Sequence, residues 1–590
     1  VAVLRLVFIL IVASNLFVQT PILAQTPIFP LSEIRAGQRG IGKTVFSGNK
    51  IEEFQVEILG VLENLGPKQS VILARLSGGP LAKTGVMQGM SGSPVYIDGR
   101  LVGAVALAFS FATEPIAGIR PIEEMLAVSA QPANQAPVAV RRSKKDVAFQ
   151  PAAGAGTDSL ATNLMEIATP VSFSGFTSAT LDHFAPELKK LGLEPRQGIS
   201  SGGRLPSKLG NPELLRPGDM ISVDLLSGDL SIGAEGTVTE VDGKKIYAFG
   251  HRFLSVGETE LPFARAEVLT LLPNLAASFK ISTARQWMGT ITQDRSTSIY
   301  GELGRKADTV PIAVTMKDGQ RAPISYHMQM VNDRVLTPFI VQMAVYSAID
   351  ATERTLGLAS YSLRGAVEFQ PGVPPLKLDN AYAGDFNVPL QASSGVSSPL
   401  AYLMSAGFDA LKIKNISLEI QASERKRLLQ IDQITASRKD VHPGQPVDLT
   451  VTFTEENGVE AEKTVRYTVP IGAPYGMLNF TVSDATYSNL LDYQQLASTV
   501  LKSPTQLVSF LNELRPNTRA YVRVWRTDAA YQVQGEDLPD PPPSLGLILA
   551  KAQAAQGTWF ARGSKIDELL IGTGNVVVTG SKNVSVEVKE

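Results

Sequence analysis

The sequence contains no cysteine. That absence excludes disulfides, a thiol nucleophile, cysteine-ligated zinc and the lipidated cysteine of a lipoprotein together. Histidine is nearly as scarce: His183, His251, His327 and His442 are the four in 590 residues. Any imidazole chemistry must use one of them, and their dispersal argues against a transition-metal site. No metal and no cofactor is expected. An excess of either charge is also missing, with 54 basic and 56 acidic residues and a net charge of −2. Without a basic surplus to neutralise phosphates, nucleic acid is not an expected partner. No P-loop, dinucleotide-binding glycine fingerprint or zincin helix occurs. Beyond the first two dozen residues, no apolar run approaches the length needed to span a bilayer.

What is present fits a folded, β-rich chain. Hydrophobic residues make up 44% and charged residues 19%, a balance that can build cores. Fifty glycines and 37 prolines imply many turns. The length exceeds what one core supports, so three or more domains are expected. At the N-terminus, Arg5 precedes an apolar run from Leu6 to Val12, and Ala24 offers a cleavage position. This reads as a signal peptide over 1–24, placing the protein in the periplasm or outside the cell. The alternative is an uncleaved anchor with membrane or envelope association, since Leu4 to Leu23 nearly reaches spanning length. Asn15, Gln19 and Pro21 weigh against it.

Period-two patterning dominates the rest. Phe54, Val56 and Ile58 alternate with polar residues, and Val71 to Leu76 forms a buried-strand pattern. Pro94 to Ile97, Asp98-Gly99 and Leu101 to Phe109 predict a hairpin whose turn uses positive φ angles. Residues 31–128 therefore form one β block. Residues 129–158, rich in Ala, Pro and Gln, read as a linker. Residues 159–365 form a second β block, with strands over Thr237 to Val241, Lys245 to Phe249 and Thr309 to Thr315. Within it, Leu214 to Leu226 is similar to the close of a PDZ segment. Residues 366–414 are expected as a connector with a helix. Residues 415–485, where Val447, Leu449, Val451 and Phe453 face one way, predict an Ig-like sandwich. Residues 486–590 predict a small region of helices and strands, with Ser503-Pro504 opening one helix. No internal repeat is evident.

One turn carries chemistry. Gly89-Met90-Ser91-Gly92-Ser93-Pro94, followed at once by the hairpin, is how chymotrypsin-like peptidases present their serine. Gly89 leaves room for a substrate backbone. Its amide and that of Ser91 can converge on one point as an oxyanion hole. Ser91 stands at the apex, Gly92 permits the tight turn, and Pro94 stiffens entry into the next strand. A serine hydroxyl needs a base at neutral pH. His251 follows a strand ending in Ala248-Phe249-Gly250 and can project into a cleft. His183 opens a helix, His327 lies in an alternating strand and His442 sits in a turn; all three read as structural.

Two blocks, QGMSGSPVYIDGRLVGAVALAF with its tail PIEEML, and GTVTEVDGKKIYAFGHRF, resemble the SpoIVB serine peptidase family. The resemblance implies a mainly β chain with a chymotrypsin-like β-barrel peptidase region. That region is built from two separated blocks, with an Ig-like sandwich and a small C-terminal region after it. It also implies cleavage of protein or peptide substrates, with Ser91 as nucleophile and His251 as general base. Two departures accompany it. In the founding peptidase the histidine block comes first, whereas here Ser91 precedes His251. The founding peptidase also carries an Asp upstream of its serine, whereas Asn64 to Met90 contains no acid. Asp294, inside the histidine block, is the expected orienting carboxylate, with Glu258 second. Without an orienting acid, the same scaffold could serve as a catalytically degenerate envelope binding module.

Overall fold

The computed structural model describes residues 26–109, 112–130, 164–198, 209–275, 277–318, 321–352, 358–496, 503–527, 530–533, 536–539, 541–552, 558–561, 563–574 and 576–590. The expected signal segment and nearly all of the expected linker lie outside these residues. Among the described residues, no helix is long and apolar enough to cross a membrane.

The first block closes on itself. Its strands are β1 (Arg39–Ser47), β2 (Lys50–Gly66), β3 (Gln69–Ser77), β4 (Pro94–Ile97), β5 (Arg100–Phe109) and β6 (Ile116–Pro121). β1 pairs with β2, β2 with β3, β3 with β6, β6 with β5, β5 with β4 and β4 with β1, all antiparallel. This ring leaves no free edge, and its inward residues, among them Phe54, Val56, Ile58, Ile72 and Leu76, form one core. The Asp98-Gly99 turn has φ angles of 50° and 74°, as the sequence predicts for the hairpin. A short strand β7 (Leu164–Glu166) adds to the outside of β5.

The second block repeats the plan. β8 (Thr169–Ser174) and β9 (Leu193–Gln197) flank the helix Ser178–Lys190. Then come β10 (Met220–Gly228), β11 (Ser231–Asp242), β12 (Lys245–Ala248), β13 (Gly257–Leu272), β14 (Phe279–Arg295) and β15 (Ser298–Leu303). β10 pairs with β11, β11 with β12, β12 with β15, β15 with β14, β14 with β13 and β13 with β10. In both barrels the ring order is first, second, third, sixth, fifth, fourth. The sequence shows no repeat because closure requires only apolar residues at inward positions, which many unrelated sequences supply. The segment read as PDZ-like runs into β10, the opening strand of this second barrel.

The barrels are sewn together. Gly48 and Val268 exchange two backbone hydrogen bonds of 2.8 Å, and Val45 packs with Met220, Ala266 and Val268. Leu101, Ala104, Ile122 and Met125 of the first barrel bury Tyr247 of the second.

Two expected boundaries move. β16 (Thr309–Lys317) and β17 (Ile324–Val331) extend the second barrel's sheet from β10. β18 (Ala359–Phe369), β19 (Leu376–Gly384) and β20 (Ile413–Ser423) continue that sheet. Residues 366–414 are therefore edge strands and a packed helix, Val388–Ser405, rather than a connector. The sandwich does not begin at 415, because β20 belongs to the larger sheet. It comprises a four-stranded and a five-stranded sheet with strands from Leu428–Ala436 to Ser581–Val588 around one core. A period-two pattern reports a buried face and carries no information about which sheet a strand joins. The helices Ala485–Leu496 and Pro504–Asn512 form as expected, and Ser503 Oγ caps the second by accepting the Gln506 amide.

Candidate functional site

Ser91 and His251 occupy equivalent places, each in the connection between the third and fourth strands of its barrel. The turn around Ser91 rests on positive φ angles at Gly89 (89°) and Gly92 (92°). The Ser93 amide closes it on the Met90 carbonyl at 2.9 Å, and the Gly92 amide donates to Val105 of β5 at 2.8 Å. β11 of the other barrel then grips the turn. The Thr237 amide donates to the Ser91 carbonyl at 2.8 Å. Thr237 Oγ1 donates to the Gly89 carbonyl at 2.9 Å, and Thr239 Oγ1 to the Gly92 carbonyl at 2.7 Å.

The histidine loop meets the same surface. Phe249 and Gly250 both adopt φ 70°. The Phe249 amide donates to the Thr237 carbonyl at 3.3 Å. A Cβ on Gly92 would lie 2.6 Å from the Phe249 nitrogen, and one on Gly250 would lie 3.2 Å from Ala104 and 3.1 Å from Ala106. Both loops thus converge on Ala104–Ala106 of β5.

Ser91 and His251 are not hydrogen-bonded to one another. His251 Nδ1 lies 2.6 Å from the Arg252 carbonyl oxygen. A carbonyl only accepts, so Nδ1 carries the proton and Nε2 keeps its lone pair. His251 Nε2 and Ser91 Oγ are both buried, and neither has a hydrogen-bond partner among the described residues. Nor do the Gly89 and Ser91 amides enter any hydrogen bond among those residues. Burial pushes the His251 pKa below the ordinary 6.5, partly opposed by the charge of Glu166 and by the bond to the Arg252 carbonyl. Glu166 pairs with Arg252 at 3.2 Å. The sequence offered no signal for Glu166, which is the last residue of the three-residue β7.

Asp294 stands at the end of β14 beside this loop, but its carboxylate faces the loop backbone rather than the imidazole. Oδ1 accepts the Phe253 amide at 2.8 Å, and Oδ2 accepts those of Leu254 at 2.7 Å and Val256 at 3.3 Å. Nδ1 is already taken by Arg252. Glu258 is exposed on β13. Of the other histidines, His183 stacks on Tyr346 with centroids 5.4 Å apart, His327 lies 3.9 Å from Asp229, and His442 is exposed in a turn. No group of acids and histidines among the described residues could hold a metal ion.

The geometry defines a mainly β protein in which two barrels of one topology clasp a serine turn against a histidine loop. Residues 14–126 match the family model of SpoIVB peptidase S55, so this stretch, about a fifth of the chain, is similar to that family. The matched stretch contains Ser91 and ends before the His251 loop. No curated protein and no solved structure matches the chain.

Proposed function

We propose that the protein is an exported serine endopeptidase acting on protein or peptide substrates through Ser91 and His251. Ser91 Oγ attacks the scissile carbonyl carbon, and its proton passes to His251 Nε2. The Gly89 and Ser91 amides hold the resulting oxyanion. The protonated imidazole then gives its proton to the leaving amine, and water, activated the same way, releases the acyl group from Ser91. The observation carrying this reading is the tautomer: the Arg252 carbonyl leaves Nε2 an unpartnered acceptor beside a serine loop whose Oγ is equally unpartnered. A main-chain carbonyl thereby takes the orienting place expected of a carboxylate, and Asp294 acts on the loop that carries the base.

A second reading has its own support. Ser91 is fully buried and His251 is 2% exposed, so a substrate strand must displace cover before reaching the hydroxyl. The same scaffold without access would serve as an envelope binding module. Labelling of the purified chain with a fluorophosphonate, beside Ser91→Ala and His251→Ala, separates the two. Label on the parent that is lost in both variants supports the peptidase. A folded parent that takes no label supports the binding module.

A further inference from the structure

Lys280 of β14 is 1% exposed. Its Nζ has one hydrogen-bond partner among the described residues, Thr44 Oγ1 at 2.7 Å, and no carboxylate. Thr44 Oγ1 is also 3.1 Å from Ser93 Oγ. On the main chain, the Lys280 amide donates to the Gln88 carbonyl at 3.2 Å, while the Gln88 amide donates to the Ser278 carbonyl at 2.9 Å. The lysine stem lies under Gly89, with Cδ 3.2 Å from where a Cβ would stand. One residue of the second barrel therefore grips both ends of the serine turn of the first: Gln88 at its entry through backbone, and Ser93 at its exit through Thr44.

We propose that Lys280 is a positioning residue for the Ser91 turn, and that its protonation loosens that turn and slows attack. This rests on the peptidase reading given above. The chemistry follows from counting donors. An ammonium presents three N–H groups and finds one acceptor here, whereas a neutral amine can accept from Thr44, which then accepts from Ser93 in an ordered chain. Burial without a counter-charge drives Lys280 down from 10.5 to about 7. Charged groups on the strands and turns joined to this region include Lys43, Arg196, Asp219, Glu235 and Arg265, and burial is the one cause of the Lys280 shift. Lys43 lies 3.9 Å from Glu53, and Asp219 is bridged to Arg265 at 3.0 Å. Arg196 donates to Gln88 Oε1 at 2.9 Å. Glu235 accepts a hydrogen bond from Ser172 Oγ at 2.8 Å, and burial raises its pKa to about 8. None of them pairs with Lys280.

The test is the pH dependence of fluorophosphonate labelling in the parent, Lys280→Met and Thr44→Val, with thermal melts of each. The parent should show an ionisation near pH 7 in addition to that of His251. Lys280→Met should lose it and label about ten to a hundred times more slowly at high pH, with an unchanged or raised melting temperature, because an unpaired buried amine is removed. Its gain in melting temperature should be full below about pH 7 and fade as the pH rises toward the ordinary lysine pKa. Thr44→Val, which cuts the chain and keeps the lysine, should slow labelling similarly. If Lys280→Met keeps the parent's pH profile and rate, or loses rate only in step with melting temperature, the proposal is overturned while the peptidase reading stands. A folded parent that takes no label at any pH overturns both.

Discussion

Gly92 and Phe249 touch across the two barrels so closely that a methyl group on Gly92 would stand 2.6 Å from the Phe249 nitrogen and 2.0 Å from the Thr237 oxygen. Neither obstacle is a flexible side-chain end, and Gly92 also holds φ 92°. Gly92→Ala should therefore push the barrels apart at the site. A loss on the order of 2–4 kcal/mol is expected from strain and overpacking together. Chemical denaturation measures the loss, and fluorophosphonate labelling should disappear with it. A variant of parental stability would show that the two loops are not interlocked.

Because burial lowers the His251 pKa, the imidazole takes up its proton only below the ordinary 6.5. The acid limb of the labelling profile assigned to His251 should then have its midpoint under that value. Linkage has the same sign. The unfolded histidine takes its proton at about 6.5, and the folded one only at lower pH. Stability from this group is thus full above 6.5 and falls as the pH drops through the folded value. An imidazole titration above 6.5, followed by NMR, would contradict the buried, neutral histidine.

Asp294 holds the loop rather than the ring. Asp294→Asn keeps one acceptor but turns an NH2 group toward backbone amides, leaving buried donors unpaired. The expected cost is about 2–3 kcal/mol, with labelling falling in proportion to the loss of folded loop. A carboxylate that oriented His251 directly would behave differently, slowing labelling severely at unchanged stability. Melting curves measured beside labelling rates distinguish the two.

Glu166 bridges Arg252 with both side chains substantially exposed, at 35% and 47%. Glu166→Gln should change stability by less than about 1 kcal/mol, since solvent screens such pairs. Its negative charge nevertheless favours the imidazolium. Removing it should shift the His251 midpoint to still lower pH, read from the same labelling profile. An unmoved midpoint would mean that Glu166 does not act on the imidazole.

The local geometry was legible in the chain itself. The Asp98-Gly99 turn, the alternation of Phe54, Val56 and Ile58, and the glycines around Ser91 each depend on neighbours within a few residues. Their φ demands and face periodicity are written into residue type. His251 could be singled out for the same reason, standing after a strand and a glycine.

The partners of those residues were decided only in three dimensions. That the two blocks share one ring order, that β20 joins the large sheet instead of the sandwich, and that Lys280 lies beneath Gly89 depend on contacts between residues far apart in sequence. An apolar alternation is satisfied by any buried face. The role of Asp294 changed on this account: its place inside the histidine block was visible, but the direction of its carboxylate was not. The Arg252 carbonyl, present at every residue and so carrying no signal in the sequence, became the group that fixes the imidazole. Residue identities set which groups stand at positions 91 and 251, and packing between the barrels set which atoms lie near one another, because hydrogen bonds act over about 3 Å while the chain separates their partners by scores of residues.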